Sequence, residues 1–339
     1  MAIVFPCNGM HHFKHIAKES LNFIKTSVEN LDIFVDAYYI CFRDNEGIST
    51  AKRSFLFSIR RPKTVDEPLR GQPPSPGRFF YFMMHRMDIR SFDAWCRSFL
   101  RIDDLTGKDD SLNGIQVSRS SGPITKAAFA VDACAESIRR AAASGAQVLF
   151  VHHGLFWGAA SRLEGSLLER IRLLLDADMA LYACHLPLDM HPEVGNNAVL
   201  AKLLGLADLE PFGSYHGFDV GFSGTLEPAI SMEEVLRRIL PDGSAPRTIL
   251  ASGRKLFRSA AIVSGGAPFE ALQAFGKNID LYITGEPSHS VYHTVIEEGL
   301  DFVAAGHYAT EVWGVKAIAA RLAAEKGIET FFVDLPTGL

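Results

Sequence analysis

Three apolar runs in this chain end in histidine. Val148–Val151 leads into His152 and His153, Ala180–Cys184 into His185, and Phe302–Ala304 is followed closely by His307. Carboxylates accompany them at regular spacing. Asp189 lies four residues after His185, and Glu311 four after His307. Imidazole and carboxylate together suit zinc, iron, manganese or nickel; the set is too rich in nitrogen for a plain magnesium or calcium cage. Histidines at three strand ends plus two carboxylates exceed what one tetrahedral ion with an open position needs. Two ions about 3.5–4 Å apart, bridged by a carboxylate or water, would use them all. Two divalent ions outweigh two carboxylates in charge, which favours hydroxide or an anionic substrate oxygen at the open positions.

Each part of the pattern also has a plainer reading. His307 and Glu311 alone are an i,i+4 helix pair, and a single histidine after a strand is usually a satisfied polar residue, as expected for His191 and His216. His11, His12 and His15 are treated as ordinary histidines, and Phe156 and Trp157 as wall or core residues. The SGGAP loop (264–268) could hold a phosphate on its N–H groups, but it lacks a Walker pattern.

The elements that would position these residues alternate. ITKAAFAVD (124–132), AQVLFV (146–151) and MALYACH (179–185) read as strands. AESIRRAAASG (135–145) and LLERIRLLLDAD (167–178) read as helices between them, the first with a glycine stop. That βαβαβ order predicts an α/β layer fold with strands buried on both faces. The rhythm recurs: residues 127–153 align without a gap on 260–286, a shift of 133 positions, and ADMALYACH (177–185) parallels GLDFVAAGH (299–307). Glu286 takes the repeat position of His153. The fold expected is two related α/β lobes, about 112–205 and 255–335, around a metal site at the carboxyl ends of strands, where ligands gather in open sheets. The Gly- and Pro-rich stretch 206–254 is expected to be an irregular, strand-containing connection. YATEVWGVKAIAARLAAEKG (308–327) predicts a helix that sets His307 and Glu311 one turn apart.

Charge is unevenly spread. Residues 1–86 carry 12 Lys+Arg against 8 Asp+Glu, and the remainder 22 against 31. The net of −5 argues against a broad nucleic-acid-binding surface. RRPKTVDEPLRGQPPSPGR (60–78) has a linker's composition. A functional domain is therefore expected over 87–339, with 1–86 a partly disordered extension or the product of a misassigned start codon. The 5 cysteines are scattered without a CxxC pair, which suits a reducing, cytoplasmic compartment. The apolar stretch Leu31–Phe42 contains Asp32 and Asp36 and is too short to span a bilayer, so no membrane association is expected.

DDSLNGIQV (109–117), VHHGLFWG (151–158), HLPLDMHPEVGNNAVLAKLLGL (185–206), YITGEPSH (282–289) and AGHYATEVWGVKAIA (305–319) occur in an order that resembles one family. It is the Nif-three-like (Ngg-one-interacting-factor-three-like) dinuclear-metal proteins, also called GTP cyclohydrolase I type 2 homologues. The resemblance covers most of 87–339 and none of 1–86. It implies the Nif-three-like fold and two divalent metal ions per chain. It also implies metal ligands at His152, His153, Asp189, His307 and Glu311, with Glu311 the bridge. His185 matches a family histidine at the edge of the site. Leu186-Pro187 stands where the family often has Thr-Asn, which alters the surroundings of the site without removing a ligand.

Family members form toroidal hexamers, so a homo-hexamer is implied. The function implied is a metal-dependent hydrolase of the GTP cyclohydrolase kind, in which water attacks purine C8 and the ring opens with loss of formate; His185 or Glu286 would relay protons. Two rivals stand beside it: a non-enzymatic metal-binding scaffold or regulatory interaction protein, and a purely structural site.

Overall fold

The computed structural model describes Phe34–Cys41, Arg53–Arg60 and Met87–Leu339. The chain divides into two units, Met1–Pro74 and Ser75–Leu339. In the first, β1 (Phe34–Cys41) pairs antiparallel with β2 (Arg53–Arg60). The segment 61–86, with most of the proposed linker, and His11, His12 and His15 lie outside the described residues.

The second unit opens with α1 (Ile89–Leu100). Asp88 caps it by accepting from the Ser91 N–H at 2.8 Å. Ile89, Phe92, Cys96 and Leu100 form its buried stripe. The first sheet contains β3 (Gly114–Val117), β4 (Lys126–Asp132), β5 (Val148–His153) and β6 (Ala180–Ala183), joined by α2 (Ala135–Ala143) and α3 (Gly165–Asp176). The expected glycine stop follows α2, at Gly145 with φ +77°. With β13 (Glu329–Phe332) the sheet order is β13-β4-β5-β6-β3. β4, β5 and β6 are parallel and buried on both faces, as their unbroken apolar runs required. Phe129, Phe150 and Tyr182 pack with α1 on one face; Leu149, Val151 and Leu181 pack with α2 and α3 on the other.

After β6 come α4 (Leu186–Met190) and α5 (Asn196–Leu204). The stretch expected to be an irregular, strand-containing connection holds a long hairpin, β7 (Ala207–Tyr215) and β8 (Phe218–Ile230), with a register shift between Ala207 and Glu210, followed by α6 (Met232–Ile239). Its glycines serve close backbone approach rather than looseness. A Cβ on Gly221 would strike the carbonyl oxygen of Ile262 on the neighbouring strand. The hairpin extends the second sheet, which also contains β9 (Thr248–Leu250), β10 (Phe257–Ile262), β11 (Leu281–Thr284) and β12 (Asp301–Ala304) in the order β7-β8-β10-β11-β12-β9. α7 (Tyr292–Glu297) links β11 to β12, and α8 (His307–Lys326) follows β12.

The two lobes repeat each other. In both, a chain-first strand pairs antiparallel at one edge, beside three parallel strands in sequence order: β3 with β4-β5-β6, and β9 with β10-β11-β12. Ala127 faces Val148, and Ala260 faces Leu281, so the 133-residue shift holds through the first two strands. The third strand departs by one position. Val148 faces Ala180 while Leu281 faces Asp301, which matches His185 with Gly306 instead of His307. Both matched residues are helix N-caps, of α4 and α8. Among the described residues no helix is long and apolar enough to cross a membrane.

Candidate metal centre

The carboxyl ends of the parallel strands in both sheets meet. β5 ends in His152 and His153; His185 follows β6, Glu286 follows β11, and His307 follows β12. α8 carries Glu311 one turn beyond His307, with its carboxylate inserted between the histidines. Glu311 Oε1 lies 3.4 Å from His152 Nε2, which is also 3.4 Å from Asp189 Oδ2. Glu311 Oε2 lies 3.2 Å from His153 Nε2 and 3.1 Å from His307 Nε2. Two sets of donors thus share Glu311: His152 with Asp189, and His153 with His307. His185 approaches His152 and His153 to form a third group.

The set passes a direct test of fit to metal. His152 Nε2, His307 Nε2 and Glu311 Oε2 are buried and have no hydrogen-bond partner despite their proximity. Unpaired buried polar atoms are costly, at about 1–3 kcal/mol each. Donors that share an ion at about 2.0–2.2 Å in tetrahedral geometry lie about 3.4 Å apart, which is the spacing around His152. Helix i,i+4 pairing explains the sequence spacing of His307 and Glu311, but not why His152 and His153 converge on the same carboxylate.

All four histidines present the same nitrogen. His152 Nδ1 donates to the Cys184 carbonyl at 3.0 Å, His153 Nδ1 to Asp132 at 2.9 Å, His185 Nδ1 to Asp109 at 2.9 Å, and His307 Nδ1 to Glu286 at 2.6 Å. A carbonyl or carboxylate can only accept, so each Nδ1 bears a hydrogen, which leaves Nε2 as the nitrogen whose lone pair can face an ion once its own proton is displaced. Glu286 therefore holds His307 in position. Asp189 is fixed in turn: its Oδ1 accepts from Asn196 Nδ2 at 2.8 Å and from Ser264 Oγ at 3.0 Å.

Without metal, protons compensate the buried charge. Burial opposes the His152 imidazolium, but the Asp189 and Glu311 carboxylates prevail and hold its pKa up at about 10. For His307 burial is likewise outweighed by Glu311 and Glu286, giving about 9. Burial favours neutral Glu311, yet His152 and the other imidazoles keep it well below the usual carboxylate range. Raised imidazoles around a depressed carboxylate mark a cluster that favours positive charge.

Asp109, Asp132, Ser264 and Asn196 were not singled out by sequence. The pairing of Asp132 with His153 across β4 and β5 was the available signal, since both end their strands in register. The SGGAP loop is not a phosphate cradle. Its Ser264, Gly265 and Ala267 N–H groups donate to Asn197, Thr310 and Thr284, and the loop instead walls Glu311. His191 lies outside the cluster, with Nε2 donating to the Phe99 carbonyl at 3.0 Å. His216 sits at the hairpin tip with φ +51°. Trp157 stands at the rim, edge-on to His185 with ring centres 4.9 Å apart.

The sequence profile of Duf34/NIF3 (NGG1p interacting factor 3) matches residues 87–337. A protein of Treponema pallidum named GTP cyclohydrolase 1 type 2 homolog is 41% identical over 75% of this chain and 100% of its own length. The protein of that name from Archaeoglobus fulgidus is 42% identical over the same shares. The crystal structure of a Thermus thermophilus protein superposes with a TM-score of 0.67 at 39% identity, again over 75% of this chain and 100% of the other. With the profile spanning both lobes and relatives matched over their whole length, the chain belongs to the Duf34/NIF3 family.

Proposed function

We propose that His152, Asp189, His153 and His307, with Glu311 as bridge, hold two divalent ions, and that the protein is a metal-dependent hydrolase of the GTP cyclohydrolase I type 2 kind. The observation that carries the proposal is Glu311: one buried carboxylate whose two oxygens face two separate donor sets, with unpaired nitrogens on both sides. A pair of such ions supplies Lewis acidity toward a carbonyl, imine or phosphoryl oxygen and acidifies water. The chain's own part is to set the tautomers through Cys184, Asp132 and Glu286, to fix the Asp189 carboxylate in place through Asn196 and Ser264, and to offer His185 as proton carrier at the rim. Glu286 is engaged with His307, which makes it a positioning group and leaves the relay to His185. A functional domain over 87–339, a homo-hexamer and a cytoplasmic location belong to the same proposal.

Elemental analysis of the full chain, purified without chelator, tests the centre. About two ions per chain are expected, both lost in Glu311→Ala, with one retained in Asp189→Ala. Folded protein with no bound ion would overturn the centre. Formate release from GTP by the loaded protein then tests the reaction. Two ions without turnover of GTP or related purines would make the protein a metal-binding scaffold instead.

A further inference from the structure

A cavity of about 750 Å³ opens beside the cluster. Trp157 and Asp109 belong to its wall, and both touch His185, so it adjoins the proposed centre. That volume is within the range of roughly 300–1,000 Å³ typical of small-ligand sites. Its lining is informative in charge. Arg97 is its one cation among the described residues, and it is committed to Asp93 at 3.0 Å and Asp103 at 2.6 Å. The Asp109 carboxylate is saturated by His185, Asn113 and the N–H groups of Ser111 and Leu186. The other polar side chains of the wall include Thr106, Ser161, Asp110 and Ser111. Asp110 makes no hydrogen bond or ion pair through its carboxylate among the described residues. Ser111, only 6% exposed, leaves its buried Oγ without a partner. Trp157 and Leu112 meanwhile present apolar surface to the cavity, 37% and 55% exposed.

Among the described residues, an aromatic wall, a carboxylate without a partner, an unpaired hydroxyl and no uncommitted cation do not suit a polyphosphate. We infer that this cavity binds a planar heterocycle bearing adjacent N–H donors, as on the N1/N2 edge of a guanine base, with the ring against Trp157 and its donors on Asp110, and that phosphates contribute nothing to binding here. Carboxylates accept from paired N–H groups with two oxygens, whereas phosphate would be repelled by Asp110. The inference rests on the hydrolase proposal only for its place in catalysis; binding itself needs no metal.

The test is therefore binding to the metal-free full chain in chelator, read by calorimetry and by tryptophan fluorescence. Guanosine is expected to bind saturably and to quench emission, with the quenching lost in Trp157→Phe. Inosine, which lacks the N2 amino group, and adenosine should bind about tenfold more weakly or worse. Asp110→Asn, an exposed change that spares the fold, should weaken guanosine by a similar factor. GTP should bind no more tightly than guanosine. The proposal is overturned by absence of saturation up to about 10 mM, by equal binding of adenosine and guanosine, or by GTP binding about tenfold more tightly than guanosine with Asp110→Asn strengthening it. Metal content and formate release are independent of each of these results, so failure here and failure of the hydrolase proposal are distinguishable.

Discussion

Gly265 closes over the Glu311 carboxylate so tightly that a Cβ there would collide with Oε1, while standing 3.4 Å from His307 Nε2. Its φ of +68° adds a second reason for glycine. Gly265→Ala is expected to displace Glu311 and to lower metal affinity at least tenfold in competition with a chelator dye, while backbone strain costs only about 1 kcal/mol of stability. Gly276→Ala is the control. It has φ +73° and nothing within 4 Å, so it should carry the strain without the loss of metal. Equal metal affinity in the two variants would show that Glu311 does not need the space.

Stability against pH should change sign with metal. The pKa values of His152 and His307 are raised in the folded chain to about 10 and about 9, above an unfolded value near 6.5. Their contribution is fully present below about pH 6.5 and is lost as pH rises through 9 to 10. Glu311 is depressed, so its contribution is present above about 4.5 and is lost only as pH falls through its lower folded value. Metal-free protein should therefore melt at lower temperature at pH 9 than at pH 7. Ion binding releases those protons, so the stabilisation by added metal should grow over the same interval. A metal-induced shift that shrinks from pH 7 to pH 9, in a soluble metal complex, would contradict the assignment of these imidazoles as ligands.

Much of this architecture was legible because period and burial agree. The unbroken apolar runs at Val148–Val151 and Ala180–Cys184 became strands covered on both faces, and the repeat at a shift of 133 survives in the pairing of Ala127 with Val148 and Ala260 with Leu281. Two kinds of feature were not legible. The glycines of 206–254 suggested an irregular, strand-containing connection, and composition does not reveal the length of its two strands or that another backbone approaches Gly221 and Gly224 closely enough to require glycine. Partners distant in sequence were also hidden: Asp132 reaches His153 from the neighbouring strand, Asp109 reaches His185 from the segment before β3, and Ser264 reaches Asp189 from the second lobe. The His152-His153 pair and the Glu311 turn were readable because they are local; their supporting groups are not.

Asp132→Asn tests the support of a single imidazole. The substitution keeps size and a hydrogen-bond acceptor at His153 Nδ1, 2.9 Å away, but removes the charge that makes Nε2 a stronger donor. Loss of such a partner typically costs about 10–100-fold in metal affinity. Of the two donor sets that share Glu311, His153 belongs only to the one with His307, so stepwise titration should show one weakened ion and one nearly unchanged. Equal weakening of both steps would mean that the two sets are not separate sites.

Asn197 ties the two lobes behind the site. Its Oδ1 accepts from the Ser264 N–H at 2.7 Å, and its Nδ2 donates to the Val220 carbonyl at 2.7 Å. The residue is fully buried, so no water replaces these bonds on truncation. Asn197→Ala strands the Ser264 N–H and the Val220 carbonyl at about 1–3 kcal/mol each, gives up a longer contact to the Asp189 carbonyl at 3.4 Å, and should destabilise metal-free protein by about 2–4 kcal/mol in a denaturant melt. Because Ser264 also donates to Asp189, the loosened loop should weaken the ion held by His152 and Asp189 more than the one held by His153 and His307. Ser264→Ala separates the two effects: it removes the Asp189 contact and spares the Asn197 bonds, so it should reproduce the metal defect with little of the stability loss.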